Sequence, residues 1–183
     1  MKRTEIRITG YGGQGVILCG HIIGRAAAIH ANQHATQIQS FGPEARGSSC
    51  STTLVISDTE VLYPYIHRPD FFVAMSSEGY ENHRHELKEN GTLIYGSDLV
   101  TPGEEDRARG YGVPSTTIAE RLGRVMVQNI VMLGFVAAVT KIVSKEQMRD
   151  AVKESVPAGT EELNLKAFEA GWAEFENQYG AHA

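Results

Sequence analysis

The residues that point most directly to chemistry are the glycines of the segment from Gly10 to Gly15, which reads Gly-Tyr-Gly-Gly-Gln-Gly. The segment lies between an apolar-alternating stretch at Ile6 and Ile8 and an apolar run that begins at Val16. This order predicts a strand, a glycine turn and a helix. Glycine permits positive φ and close approach of a ligand, and free N–H groups at a helix start attract anions. The motif therefore supports equally a phosphate-binding turn and a tight strand-to-helix turn that binds no ligand.

The spacing of these glycines also matches the dinucleotide-binding fingerprint. That fingerprint needs an acidic residue at the end of the second strand, where it holds the ribose hydroxyl groups. The predicted second strand reads His-Ala-Thr-Gln-Ile-Gln-Ser over residues 34–40, without Asp, Glu or Arg. A free-standing nucleotide-dependent oxidoreductase is therefore disfavoured, and it is kept as an alternative.

The loop that follows this strand, from Gly42 to Gly47, reads Gly-Pro-Glu-Ala-Arg-Gly. Open α/β sheets place ligands after their strands, and function concentrates in loops. Pro43 and the two glycines restrict the loop, while Glu44 and Arg46 place opposite charges two residues apart. A solvated loop with an incidental ion pair is the simpler interpretation, but the composition favours a functional loop.

Composition sets the class of protein. The chain has 183 residues, 42% of them hydrophobic, and a net charge of −5, which predicts a single α/β domain over residues 1–183. The acid excess argues against a nucleic-acid partner. The sequence enters a strand directly, without a signal peptide, so we expect a cytoplasmic protein. The longest weakly charged stretch, residues 125–143, contains Gln128, Asn129 and Lys141, which favours a buried or interface helix over a membrane span.

The potential metal ligands are few and scattered. Cys19 and Cys50 are the two cysteines of the chain, too few for an iron–sulfur cluster or a structural zinc site. We expect both to pack as small core residues in a reducing cytoplasm. The seven histidines do not converge in the sequence, so no metal site is expected.

Hydrophobic periodicity predicts alternating strands and helices. The predicted strands cover residues 5–9, 35–40, 51–57, 70–75 and 92–95, and a hairpin partner of the third strand starts at Val61 after a turn at Asp58 and Thr59. The predicted helices cover residues 14–32, 77–90, 116–122, 125–143 and 160–179, and one more begins after Ser144 with Gln147 at the capping-box position. This alternation predicts one three-layer α/β domain with an open, Rossmann-like sheet.

The glycine turn and the loop together resemble a known family. The segments Gly-Tyr-Gly-Gly-Gln-Gly-Val-Ile and Gln-Ser-Phe-Gly-Pro-Glu-Ala-Arg-Gly look like those of the gamma subunit, or gamma domain, of 2-oxoacid:ferredoxin oxidoreductases. The likeness continues through Tyr63-Pro64, the strand at Asp70, Val113-Pro114 and Asn129. The loop is most similar to that of the 2-oxoglutarate enzyme, and the branched-chain and pyruvate enzymes are alternatives. Ser48 departs from the pattern, because relatives usually carry a second glycine there.

The resemblance implies a subunit of a heteromeric enzyme that decarboxylates a 2-oxoacid oxidatively with coenzyme A and reduces ferredoxin. It implies that thiamine diphosphate, magnesium and 4Fe-4S clusters belong to partner alpha and beta subunits, with a ferredoxin-like delta subunit as a further candidate partner. The chain also lacks the Gly-Asp-Gly segment that begins the usual thiamine-diphosphate motif. We therefore expect no catalytic residue here and no activity of the chain alone.

Coenzyme A is the one cofactor expected to reach this chain, because its phosphates suit a glycine loop at a helix start. The candidate binding residues come from the two motifs: Gly12, Gly13, Gln14, Gly15, Gly42, Pro43, Glu44, Arg46 and Gly47. A third alternative is a purely structural subunit, in which the glycine turns serve only to pack subunits together.

Overall fold

A computed structural model describes residues 3–42 and 48–180 of the chain. They contain an open six-stranded sheet with the order β2-β3-β1-β4-β5-β6. The strands are β1 (Arg3–Tyr11), β2 (His34–Phe41), β3 (Ser49–Ser57), β4 (Phe71–Ala74), β5 (Thr92–Gly96) and β6 (Gly110–Val113). Strands β1, β4, β5 and β6 run parallel to one another, whereas β3 is antiparallel to both β1 and β2.

Seven α-helices accompany the described strands. They are α1 (Val16–Arg25), α2 (Ser77–His83), α3 (Glu104–Ala108), α4 (Ser115–Arg121), α5 (Gln128–Thr140), α6 (Lys145–Ser155) and α7 (Glu161–Tyr179). A π-helical turn, Ala26–His30, extends α1, and 3-10 turns follow α2 (Arg84–Glu86) and precede α5 (Val125–Val127).

Helices cover both faces of the sheet. Successive strand residues point to opposite sides, so a central strand can contribute to two cores. On β4, Val73 packs into the larger core with α1, α5 and α7, whereas its neighbours Phe72 and Ala74 pack against Tyr80 of α2 in a smaller core. The unbroken apolar sequence of β4 is typical of a strand buried on both faces. The three-layer open-sheet prediction is therefore confirmed.

Helix α5 is buried within its own subunit. Residues 129–138 are buried, and α7 supplies most of the cover. The two helices approach closely through Gly134 and Gly171, where a Cβ atom would overlap backbone atoms of the opposite helix. Of the two roles predicted for this apolar stretch, the structure supports the buried one. No helix in residues 3–42 and 48–180 is long and apolar enough to cross a membrane.

One predicted element is wrong and two were missed. The hairpin partner predicted at Val61 does not form, because β3 is already paired along both edges, with β1 and with β2. Strand β6 and helix α3 were not predicted. Strand β6 reads Gly-Tyr-Gly-Val, and glycine-rich segments of this length carry almost no strand signal.

The predicted helix ends agree with the structure at some positions and not at others. Ser144 caps α6, and its side chain and that of Gln147 form the predicted capping box. The helix predicted over residues 77–90 ends at His83, and after a 3-10 turn Leu87 becomes extended and buried in the smaller core. Burial of Leu87 thus outweighs the local helix propensity of this segment.

A buried carboxylate ties α3 to α2. The carboxylate of Asp106 accepts hydrogen bonds from the Tyr80 hydroxyl (2.6 Å), Arg84 Nε (3.0 Å) and Arg109 Nη2 (2.7 Å). Burial acts to raise the pKa of Asp106, but the hydrogen bonds from Tyr80, Arg109 and Arg84 outweigh it and hold the pKa below its ordinary value. Asp106 therefore stabilises the fold in its ionised form.

We expect Asp106→Ala to lower the free energy of unfolding at pH 7 by about 2 kcal/mol, the usual value of hydrogen bonds to a charged group. Because the folded-state pKa is depressed, this contribution is complete above the ordinary aspartate pKa of about 4 and is lost as the pH falls through the lower folded-state value. Urea unfolding at several pH values should show the gap between wild type and variant closing in acid. Glu162→Ala, which removes an exposed ion pair with Lys166, is the control and should change little. A gap that does not depend on pH would contradict this role.

Candidate functional site

The glycine turn lies where the connections of the sheet change direction. Strands β1 and β4 are parallel neighbours, but α1 leaves β1 toward the larger core and α2 leaves β4 toward the smaller one. The crevice between the carboxyl ends of two such strands is the usual ligand position in open α/β sheets. The sequence thus places its glycines at the point of the fold best suited to bind a ligand.

The backbone of the turn requires two of its glycines. Gly13 and Gly15 have φ values of 99° and 75°, a region that other residues seldom adopt. Gly15 is also the N-cap of α1, and no side chain caps that helix end. The first N–H groups of α1 therefore lack intrahelical acceptors and can bind an anion.

Gln14 holds the turn in place. Its Oε1 accepts a hydrogen bond from the N–H of Tyr11 (2.7 Å), and its Nε2 donates to the carbonyl of Met75 (3.1 Å). The side chain therefore joins the turn to the residue that follows β4. Sequence reasoning placed Gln14 among the cofactor-binding residues, but both ends of its amide contact protein, and its geometry is that of a positioning residue.

The second predicted motif begins and ends beside the first. The hairpin of β2 and β3 brings Ser48 next to the turn, where its carbonyl accepts a hydrogen bond from the N–H of Gly12 (2.9 Å), and Gly42 N–H donates to the carbonyl of Ser49 (2.9 Å). A Cβ atom on Gly42 would overlap the Ser48 side chain. The other predicted residues of this motif lie outside the described residues: Pro43, Glu44, Arg46 and Gly47.

A groove of about 280 Å³ runs between the turn and the hairpin. Its walls are the turn itself, the first residues of α1 from Val16 to Leu18, and the side chains of Phe41 and Cys50. Phe41 is 66% exposed, which is unusual for a phenyl ring and leaves its face open to a ligand. The groove therefore combines free backbone N–H groups with an apolar wall and an aromatic ring.

The two thiols near this groove are not poised for reaction. Complete burial raises the pKa of the Cys19 thiol to about 12, and Cys19 Sγ donates to the carbonyl of Asn129 (3.3 Å). Burial also raises the pKa of Cys50. Both thiols are buried and free, which confirms that they pack as small core residues. Among the described residues, no three His, Cys, Asp or Glu side chains are grouped so that they could hold a metal ion.

Two residues of the site were not predicted as such. Asn129 of α5 is 5% exposed, and its side chain lies where a Cβ atom on Gly15 would be. This contact fixes the start of α1 against α5. Because it joins residues more than a hundred positions apart, no local pattern predicts it, and the family likeness at Asn129 was the signal that could have identified this residue. Phe41 belongs to the second motif, and its aromatic side chain at the end of a strand was the signal that could have identified it.

Comparison with known proteins identifies the family. A family model described as pyruvate ferredoxin/flavodoxin oxidoreductase matches residues 5–174, and the chain belongs to this family. It is 46% identical over 173 residues to the 2-oxoglutarate synthase subunit KorC of Methanocaldococcus jannaschii, covering 93% of this chain and 92% of the relative. The resemblance drawn from the two motifs is thereby confirmed.

Solved structures agree with this assignment. The gamma subunit of a keto/oxoacid ferredoxin oxidoreductase from Geobacter sulfurreducens superimposes with a TM-score of 0.79 at 38% identity, covering 93% of this chain and 97% of that one. The 2-oxoglutarate:ferredoxin oxidoreductase of Magnetococcus marinus, solved with 2-oxoglutarate, coenzyme A and succinyl-CoA bound, has a TM-score of 0.85 at 24% identity. The aligned region spans 94% of this chain and 31% of the longer one. At this identity the second likeness shows the fold alone.

Proposed function

We propose that this chain is the gamma subunit of a heteromeric 2-oxoglutarate:ferredoxin oxidoreductase. The enzyme would decarboxylate 2-oxoglutarate oxidatively with coenzyme A, release CO2 and an acyl-CoA, and pass the electrons to ferredoxin. Similarity along nearly the whole chain to a 2-oxoglutarate synthase subunit supports this substrate. Enzymes for branched-chain 2-oxoacids and pyruvate are the alternatives, since relatives named for those substrates are about 30% identical.

In this proposal the chain supplies a binding surface and no reacting group. Thiamine diphosphate, magnesium and the 4Fe-4S clusters belong to the alpha, beta and delta subunits. This chain has two cysteines, and both are buried with raised pKa values, so it has no set of thiolates for a cluster. The protein is cytoplasmic in this proposal, as its electron acceptor would be.

The groove beside the glycine turn is the proposed coenzyme A site. The observation that carries the proposal is the uncapped start of α1, with Gly13 and Gly15 at positive φ. A Cβ atom on Gly13 would have no atom within 4 Å, so the space in front of the turn is open. A pyrophosphate there would accept hydrogen bonds from the helix N–H groups. The adenine ring or the pantetheine arm would then lie along the apolar wall near Phe41.

The assembled enzyme and the chain alone provide the test of this function. We expect the purified complex to reduce a viologen dye with 2-oxoglutarate and coenzyme A. The kcat/KM for 2-oxoglutarate should exceed the values for pyruvate and 2-oxoisovalerate at least about tenfold, which corresponds to ~1.4 kcal/mol of transition-state binding. The isolated chain should give no dye reduction with any of the three. A preference for another 2-oxoacid would select the corresponding alternative, and dye reduction by the pure chain would refute a non-catalytic subunit.

A further inference from the structure

A second apolar cavity adjoins the groove at the start of α1. Its volume is about 240 Å³, and its walls include Val127 before α5, Val156 after α6 and Leu163 of α7. Leu18 lines both this adjoining cavity and the groove, and it belongs to the first turn of α1. One turn of helix rises about 5.4 Å, so the adjoining cavity opens about one turn from the N–H groups at which a phosphate is expected to bind.

The side chain of Asn129 brings a polar group to the adjoining cavity. The residue is 5% exposed, lines the cavity and lies against Gly15. Its backbone carbonyl accepts a hydrogen bond from Cys19 Sγ, but its side-chain amide has no hydrogen-bond partner among the described residues. Buried polar groups are almost always hydrogen-bonded, so this amide indicates a polar ligand in the cavity.

Arg124 provides positive charge at the same place. It is the one charged residue that lines the adjoining cavity, its side chain is exposed, and it forms no ion pair within residues 3–42 and 48–180. The acidic residues within two positions of the lining, Glu154, Glu161 and Glu162, do not line the cavity, and two of them form ion pairs elsewhere. An arginine without a carboxylate partner can bind a phosphate through two parallel hydrogen bonds.

The two ends of coenzyme A make different demands on this chain. In the proposed function, the thiol must reach the thiamine diphosphate of a partner subunit, so the pantetheine arm has to leave this surface. The adenosine end takes no part in the reaction and can be held in a recess. Its ring has apolar faces, and an asparagine amide can pair with its edge through N6 and N7. Its 3′-phosphate carries a charge of about −1.5 to −2 at pH 7.

We propose that the adjoining cavity binds the adenosine 3′-phosphate end of coenzyme A. The pyrophosphate lies at the start of α1, the adenine ring enters the cavity beside Asn129, and Arg124 binds the 3′-phosphate. The pantetheine arm then follows the groove past Phe41 toward the partner subunits. This inference rests on the proposed function and adds to it the residue that distinguishes coenzyme A from its 3′-dephospho form.

Calorimetric titration of the assembled enzyme with coenzyme A and with 3′-dephospho-coenzyme A, in the absence of a 2-oxoacid, tests the inference. Wild type should bind coenzyme A at least about tenfold more tightly, and Arg124→Gln should remove most of this preference by weakening coenzyme A alone. Arg121→Gln is the matched control, because Arg121 is also exposed but does not line the cavity. Equal affinities of wild type for the two ligands, or a preference retained in Arg124→Gln, would overturn the inference.

Charge substitutions at Met126 provide a second test. Met126 lines the adjoining cavity and is 86% exposed, so we expect both variants to fold. Met126→Glu should weaken coenzyme A about threefold and Met126→Lys should strengthen it about threefold, with smaller changes for the dephospho form, because the new charges act on the 3′-phosphate. Leu62→Glu is the control at an equally exposed residue (85%) and should change neither affinity. Equal shifts for the two ligands in the Met126 variants would contradict the proposed position of the 3′-phosphate.

Failure of this inference is distinguishable from failure of the proposed function. An assembled enzyme that does not bind coenzyme A at all would refute the proposed coenzyme A chemistry. An enzyme that binds coenzyme A but does not recognise its 3′-phosphate through Arg124 would refute the adenosine site alone. A preference for another 2-oxoacid would leave both affinities unchanged, because the titrations contain no 2-oxoacid.

Discussion

Gly13→Asp in the assembled enzyme is expected to raise the KM for coenzyme A at least about tenfold, a loss of ~1.4 kcal/mol in binding, while the subunits stay associated. A Cβ atom at this position would meet no atom within 4 Å, so we expect the main effect of the carboxylate on a bound phosphate to be repulsion. The φ of 99° at Gly13 adds a backbone cost that has nothing to do with the ligand. A variant with the same cost and no charge is therefore needed for comparison.

Gly13→Asn is that control. Asparagine and aspartate have nearly the same size and both tolerate positive φ better than other residues, so the two variants differ mainly in charge. A carboxylate at a helix start stabilises the helix by ~0.3–1 kcal/mol. If the turn only shapes a corner, Gly13→Asp melts at or above the temperature of Gly13→Asn and the two KM values agree. If a phosphate binds there, Gly13→Asp has the higher KM.

The measurements are the KM for coenzyme A at fixed ionic strength and a sizing column that reports assembly. Equal KM values in intact complexes of both variants would remove this turn as the coenzyme A site without affecting the proposed 2-oxoacid chemistry. Loss of assembly in both variants would favour the structural-subunit alternative.

Arg46→Ala should lower the activity of the reconstituted complex at least about tenfold, or ~1.4 kcal/mol. The loop that carries Arg46 starts at Gly42 and ends at Ser48, and Ser48 bonds to the glycine turn. We hypothesise that the guanidinium of Arg46 either pairs with Glu44 or binds an anionic group of coenzyme A or the substrate. An exposed ion pair is worth only ~0–1 kcal/mol, whereas removing a desolvated one costs on the order of 2–5 kcal/mol.

Arg46→Lys and Glu44→Gln separate these roles. Lysine keeps the charge but not the two-pronged hydrogen bonding of arginine, so a partial loss in Arg46→Lys would indicate bidentate recognition of an anion. Glu44→Gln should match Arg46→Ala only if the internal pair is what holds the loop. Unchanged kinetics and melting temperature in Arg46→Ala would show that this loop is merely solvated surface.

Much of the fold follows from local sequence. The alternation at Ile6 and Ile8, the glycines after them and the apolar run from Val16 predict β1, the turn and α1, because side-chain period and backbone freedom are properties of the local chain. The unbroken apolar sequence of β4 and the capping box at Ser144 predict a buried strand and a helix start for the same reason. The two motifs also suffice to identify the family.

Tertiary structure decided what depends on contacts between distant segments. Strand β3 pairs with β2 and not with the segment at Val61, and this choice depends on which edge of β3 remains open. The short strand β6 forms because it can pair with β5. Only folding places Asn129 against Gly15 and turns Gln14 toward the end of β4. Local sequence sets the conformations that each segment can adopt, whereas the packing of segments far apart in the chain selects among them and builds the site.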